Sequence, residues 1–128
     1  MIIDGQLYIY NGTTWEALRR PDKIKVLSST SLANNASGTI WTPTSGKTIN
    51  LMGLIFSFVW NSVMTANRLF QLYDGGTLIG EFSIWYVPII LNFPNSGHKF
   101  AAADNVLTVK NICGATQSVA LTAWGYET

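Results

Sequence analysis

The sequence predicts an all-β domain, and three observations carry that prediction. Hydrophobic residues make up 48% of the 128 residues and charged residues only 12%, about half the charged share of an average soluble domain. Short apolar runs recur along the chain, several with two-residue alternation and each closed by Gly, Asn, Pro or Asp. About eight such strands in roughly a hundred residues predict a sandwich or barrel. No window of useful length has the 3.6-residue spacing of a helix. The best helical candidate, residues 100–104, is one turn at most. A chain of this length fits one domain and buries enough surface to fold without a disulfide or a metal.

The elements follow in order. Residues 6–10 read as a strand, Asn11-Gly12 as the strongest short hairpin signal, and residues 13–18 as the returning strand. A lone hairpin is marginal in water, so this one must lean on its own body or on another subunit. Arg19, Arg20, Lys23 and Lys25 cluster around Pro21, which reads as a solvated, hinge-like linker or as a contact for an acidic neighbouring subunit. The chain thus divides into an N-terminal arm, 1–23, and a sandwich body, 24–128. In the body, residues 39–41 lead into the loop 42–47. Residues 48–60 form a long strand whose apolar phase flips from Ile49 and Leu51 to Leu54, Phe56, Phe58 and Trp60. A one-residue flip in mid-strand predicts a β-bulge, and Gly53 sits where it would be. Residues 68–73 and 77–82 flank the turn Asp74-Gly75-Gly76. Residues 83–93 alternate in part, with Pro88 marking an edge or a bulge. Residues 106–112 place Leu107, Val109 and Asn111 on one face. Residues 118–126 place Val119, Leu121 and Ala123 on one face.

Little in the sequence points to chemistry. The net charge of +1 argues against a broad nucleic-acid footprint. One cysteine, Cys113, excludes an internal disulfide and a Cys-x-x-Cys site, and reads as a small buried hydrophobe. The one histidine, His98, reads as a surface-loop residue, and no zinc-ligand spacing exists. Asp74 and Asp104 read as turn residues, and Glu81 is the one acid inside a strand. No P-loop and no nucleophile elbow is present. The expectation is a non-enzyme without cofactor or metal. The opening ten residues predict no secretory signal, and the longest apolar stretch, 51–60, is too short to span a bilayer. These features predict synthesis in a cytoplasm, with neither a nucleic acid nor a membrane as partner.

The aromatic load of five Trp, five Tyr and six Phe fits a core, a subunit interface or a sugar-stacking face. Trp41, Trp60, Trp85, Tyr86 and Trp124 fit either a core or a glycan face. Trp85 and Tyr86 are adjacent in a predicted strand, so at least one points away from a two-sheet core, which favours an interface. The candidate interface residues are Tyr8, Tyr10, Trp15, Arg19, Arg20, Trp85 and Tyr86.

The opening Leu7-Tyr8-Ile9-Tyr10-Asn11-Gly12-Thr13-Thr14-Trp15-Glu16 resembles a short module of tailed-bacteriophage structural proteins, with an aromatic strand, an Asn-Gly turn and a Trp. The stretches Trp41-Thr42-Pro43 to Gly46-Lys47, Leu51-Met52-Gly53-Leu54, Leu72-Tyr73-Asp74-Gly75, Asn105-Val106-Leu107-Thr108-Val109 and Ala123-Trp124-Gly125-Tyr126-Glu127 resemble small phage virion proteins of the jelly-roll type. The resemblance implies a two-sheet jelly-roll sandwich and a structural role on the virion, such as a capsid decoration protein. It implies a homo-oligomer, often a trimer, bound to the major capsid protein or another virion protein. The alternatives are a tail-fibre or baseplate module that recognises a host surface glycan, and a carbohydrate-binding module.

Overall fold

The computed structural model describes residues 1–3, 6–10, 12–17, 21–59, 69–83, 88–93 and 97–128. Every regular element among them is a strand: β1 (Ile2–Ile3), β2 (Gln6–Tyr10), β3 (Trp15–Ala17), β4 (Lys23–Leu32), β5 (Ser37–Trp41), β6 (Ile49–Val59), β7 (Leu69–Asp74), β8 (Thr77–Ser83), β9 (Ile89–Asn92), β10 (His98–Lys99), β11 (Leu107–Asn111) and β12 (Gln117–Glu127). The all-β expectation is met.

The strands of the body form two antiparallel sheets. In one, β12 lies between β4 and β6, and β9 and β10 both pair along the far edge of β6. In the other the order is β5-β11-β7-β8. The pairings nest: β7 pairs with β8, β6 with β9 and β10, β5 with β11, and β4 with β12. The two-residue turn Gly75-Gly76 closes the innermost hairpin. Gly75 takes a φ of +58° there, the positive first position of a type II′ turn that glycine adopts without strain.

The core lies between these sheets. Ile49, Leu51, Leu54 and Phe56 of β6 and Val119, Leu121 and Ala123 of β12 are buried from one side. Ile40 and Trp41 of β5, Phe70 and Leu72 of β7, and Leu107 and Val109 of β11 are buried from the other. The Phe56 ring joins the two layers, 4.7 Å from the ring of Phe70 and 5.2 Å from that of Phe82.

The bulge predicted at Gly53 is present. Ile49, Leu51, Leu54 and Phe56 all point inward, which requires one extra residue between Leu51 and Leu54. The register against β12 shifts there: Trp124 faces Gly53 and Gly125 faces Leu51, leaving Met52 unpaired. A Cβ on Gly53 would occupy the space of the Trp124 indole. The residue lacking a side chain is therefore the one that lets the Trp124 ring lie flat on the sheet.

Three expectations need correction. Lys23 and Lys25 are not linker residues: they begin β4, where Lys23 pairs with Gly125 and Lys25 with Ala123. Backbone pairing to β12 decides the conformation here, and Asp22 N–H already donates to the Gly125 carbonyl at 3.0 Å. The hairpin arm is a three-stranded sheet, because β1 adds to β2, and its returning strand begins at Trp15, with Tyr10 opposite. His98 is a strand residue opposite Leu51, half-buried rather than in a surface loop. Residues 84–87, inside the predicted strand 83–93, and most of the turn 94–97 lie outside the described residues.

Candidate interaction surface

Three of the seven candidate interface residues come together. β2 puts Tyr8 and Tyr10 on one face of the N-terminal sheet, and the register places Trp15 opposite Tyr10. The two rings sit 5.3 Å apart at 46°, within the range of a favourable cross-strand aromatic pair. Both stay open to solvent, Tyr10 at 54% and Trp15 at 52% exposure. Tyr8 is half-buried, and its N–H donates to the Met1 carbonyl at 2.7 Å. On the opposite face Ile2 and Leu7 pair and are also exposed. Among the described residues, no strand of this sheet packs extensively against a strand of the body. Arg19, Arg20, Trp85 and Tyr86 lie outside the described residues. Of the remaining tryptophans, Trp41 is core and Trp124 lies half-buried on the outer face of its sheet, above Gly53, while Trp60 is outside the described residues.

The titratable groups are mostly built into the fold. Asp74 is buried, and its carboxylate accepts from Asn105 Nδ2 at 2.7 Å and from Ala101 N–H at 2.8 Å. Asp104 Oδ1 accepts from Gly46 N–H at 2.7 Å, fixing the loop 42–47. Glu127 Oε1 accepts from Trp41 Nε1 at 3.0 Å and from Thr44 N–H at 3.2 Å. The Cys113 thiol is buried, and burial pushes it up to about 11; the thiol donates to the Leu69 carbonyl at 3.3 Å. It is a poor nucleophile at neutral pH. The His98 ring lies 5.8 Å from that of Phe93 and 6.0 Å from that of Phe100. Among the described residues no group of three or more His, Cys, Asp or Glu side chains converges as a metal site, and no helix is long and apolar enough to cross a membrane.

Glu127 makes a testable contribution. Burial raises its carboxyl, but the hydrogen bonds from Trp41 and Thr44 and the nearby Lys23 charge outweigh that and hold it below the ordinary range. A depressed folded value stabilises the protein above the unfolded value, about 4.3 for Glu, and that stabilisation is lost as pH falls through the folded value. Thermal unfolding from pH 7 to pH 3 is expected to show a shallower acid limb for Glu127→Gln than for the wild type. Parallel limbs would remove this role.

Comparison with protein families, with characterised proteins and with solved structures finds no match for the chain.

Proposed function

We propose that the chain is a structural virion protein of a tailed bacteriophage: a capsid decoration protein that binds the outer shell through aromatic contacts and stabilises it. The observation that carries this reading is the exposed Tyr10–Trp15 pair on a small sheet separate from the two sheets of the body. Strands of two, five and three residues in β1, β2 and β3, with Ile2 and Leu7 exposed on one face and Tyr10 and Trp15 on the other, bury too little apolar surface to make a sheet that stands alone in water. Such a sheet gains stability by burying its rings against a partner, and Tyr and Trp are the side chains that anchor interfaces. The likeness of the opening residues to phage structural modules supports the same assignment.

The jelly-roll topology belongs to this proposal and rests on the nested pairings. Taking β9 and β10 as one interrupted edge strand, the described residues of the body form eight strands, whose nested pairing reads as a single long hairpin rolled over the core. That arrangement agrees with an eight-stranded double Greek key. The partners assigned are further copies of the chain and the major capsid protein or another virion protein. The reading needs no cofactor and no catalytic residue.

The test is co-sedimentation with shells lacking the protein. Tyr10→Ala/Trp15→Ala in the full chain is expected to weaken attachment at least about 100-fold, the loss of two aromatic anchors, with an unchanged melting temperature for the body. Undiminished attachment would refute the role of the arm. The exposed ring pair would also suit a glycan, so a glycan array separates the tail-fibre alternative: retained shell binding without glycan binding supports decoration.

A further inference from the structure

The outer face of the β4-β12-β6-β9 sheet carries an apolar row that the core does not explain. Register places Val26 beside Thr122, Thr122 beside Ile55, and Ile55 beside Ile90. The next row runs Ile24, Trp124, Gly53, Asn92. Ile24, Val26, Ile55 and Ile90 are 71%, 60%, 39% and 62% exposed. In β4 the usual pattern is inverted. Lys23, Lys25 and Leu27 share the side that faces the core, whereas Ile24 and Val26 face out. Inward-turned lysines are a common guard for an edge strand, but nothing in the fold of one copy requires β-branched aliphatics in water on the other side.

We propose that this face is a self-association surface, covered by the same face of a second copy of the chain. Charge is the first argument. Neither row contains a charged residue, so a nucleic acid finds no cation there, and two identical faces meet without like-charge repulsion. Size is the second. The four aliphatic side chains expose on the order of 400 Å², as large as the leading patch on a typical monomer. With about 65% apolar area, as in homodimers, that implies roughly 600 Å² per copy and about 1,200 Å² in total, the lower bound of a specific stable interface. Access is the third. Among the described residues β4 and β8 are edge strands, and each carries a bulge, between Leu27 and Thr30 and at Ile79, so edge-to-edge pairing is discouraged while the face stays open. The contact is isologous: sheet lies on sheet about 10 Å apart, with the Val26–Thr122–Ile55–Ile90 rows crossing.

This inference does not depend on attachment to a shell, and its test is separate from that of the arm. The full chain is measured by sedimentation equilibrium up to ~100 μM, where a weak dimer is populated by mass action. The wild type is expected to exceed the 14.1 kDa of one copy. Ile90→Lys and the milder Val26→Thr/Ile90→Thr are expected to weaken association at least about 100-fold and about 10-fold, with melting curves like the wild type. Leu78→Lys, an exposed position of the other sheet, is expected to leave association unchanged. A monomeric wild type, an oligomer of any order that survives both face variants, or equal dissociation by Leu78→Lys would overturn the proposal.

Discussion

Phe56→Ala is expected to destabilise the domain by about 3–5 kcal/mol, a large part of the roughly 5–15 kcal/mol that holds a domain of this kind together. Phe56 is fully buried within β6, and its ring meets Phe70 and Phe82 of the opposite sheet. Truncation removes apolar area and also leaves a cavity. β6 is paired on both sides, to β12 and to β9 and β10, so the backbone cannot collapse into the gap. Equilibrium unfolding in urea is the measurement, with the denaturant slope unchanged and the midpoint shifted. A loss below about 1 kcal/mol would show that the two sheets are not packed through this ring.

Asn111→Leu is expected to cost about 3–5 kcal/mol, although its volume and burial suit an apolar residue. The Asn111 amide is fully buried. Its Nδ2 donates to the Leu32 and Ala115 carbonyls at 2.8 Å each, and its Oδ1 accepts from Cys113 N–H at 2.8 Å. One side chain thus ties the end of β4, in one sheet, to β11 and its following turn in the other. Leucine leaves the buried Leu32 carbonyl and Cys113 N–H, and the half-buried Ala115 carbonyl, without these bonds. Asn111→Asp adds a sign that can be checked. Its carboxylate would face two carbonyl oxygens, so the folded state favours the protonated acid and raises its value above the unfolded one, about 3.9. The stability retained at low pH is then lost as pH rises. Urea unfolding is expected to find this variant weaker at pH 7 than at pH 4, relative to wild type. Equal losses at both pH values would contradict the buried amide network.

Much of the body was legible because strand periodicity and turn chemistry are local. The alternation of residues 106–112 and the Gly75-Gly76 turn could be read directly. The phase flip located the bulge because it is written in Leu51, Gly53 and Leu54 alone. β4 was harder. Lys-Ile-Lys-Val alternates, but its charges lie beside Arg19, Arg20 and Pro21, and its register comes from β12, almost a hundred residues away. The seating of His98 between Phe93 and Phe100 likewise depends on β10 pairing along the edge of β6.

The candidate surface was legible only in part, for the same reason. Tyr10 and Trp15 are joined by a short hairpin, so their pairing could be anticipated. The row Val26, Thr122, Ile55 and Ile90 draws on four strands, and sheet order is needed to see that they are neighbours. Exposed isoleucine also reads as core in a sequence, because composition carries no direction.

We propose that the chain is a virion component attached by its N-terminal aromatic sheet. Cryo-electron microscopy of the assembled particle tests this most directly. The predicted result is a two-sheet body outside the shell, with Tyr10 and Trp15 against a shell protein. Particles without the chain, or with Tyr10 and Trp15 pointing into solvent and the body held by another surface, would contradict it.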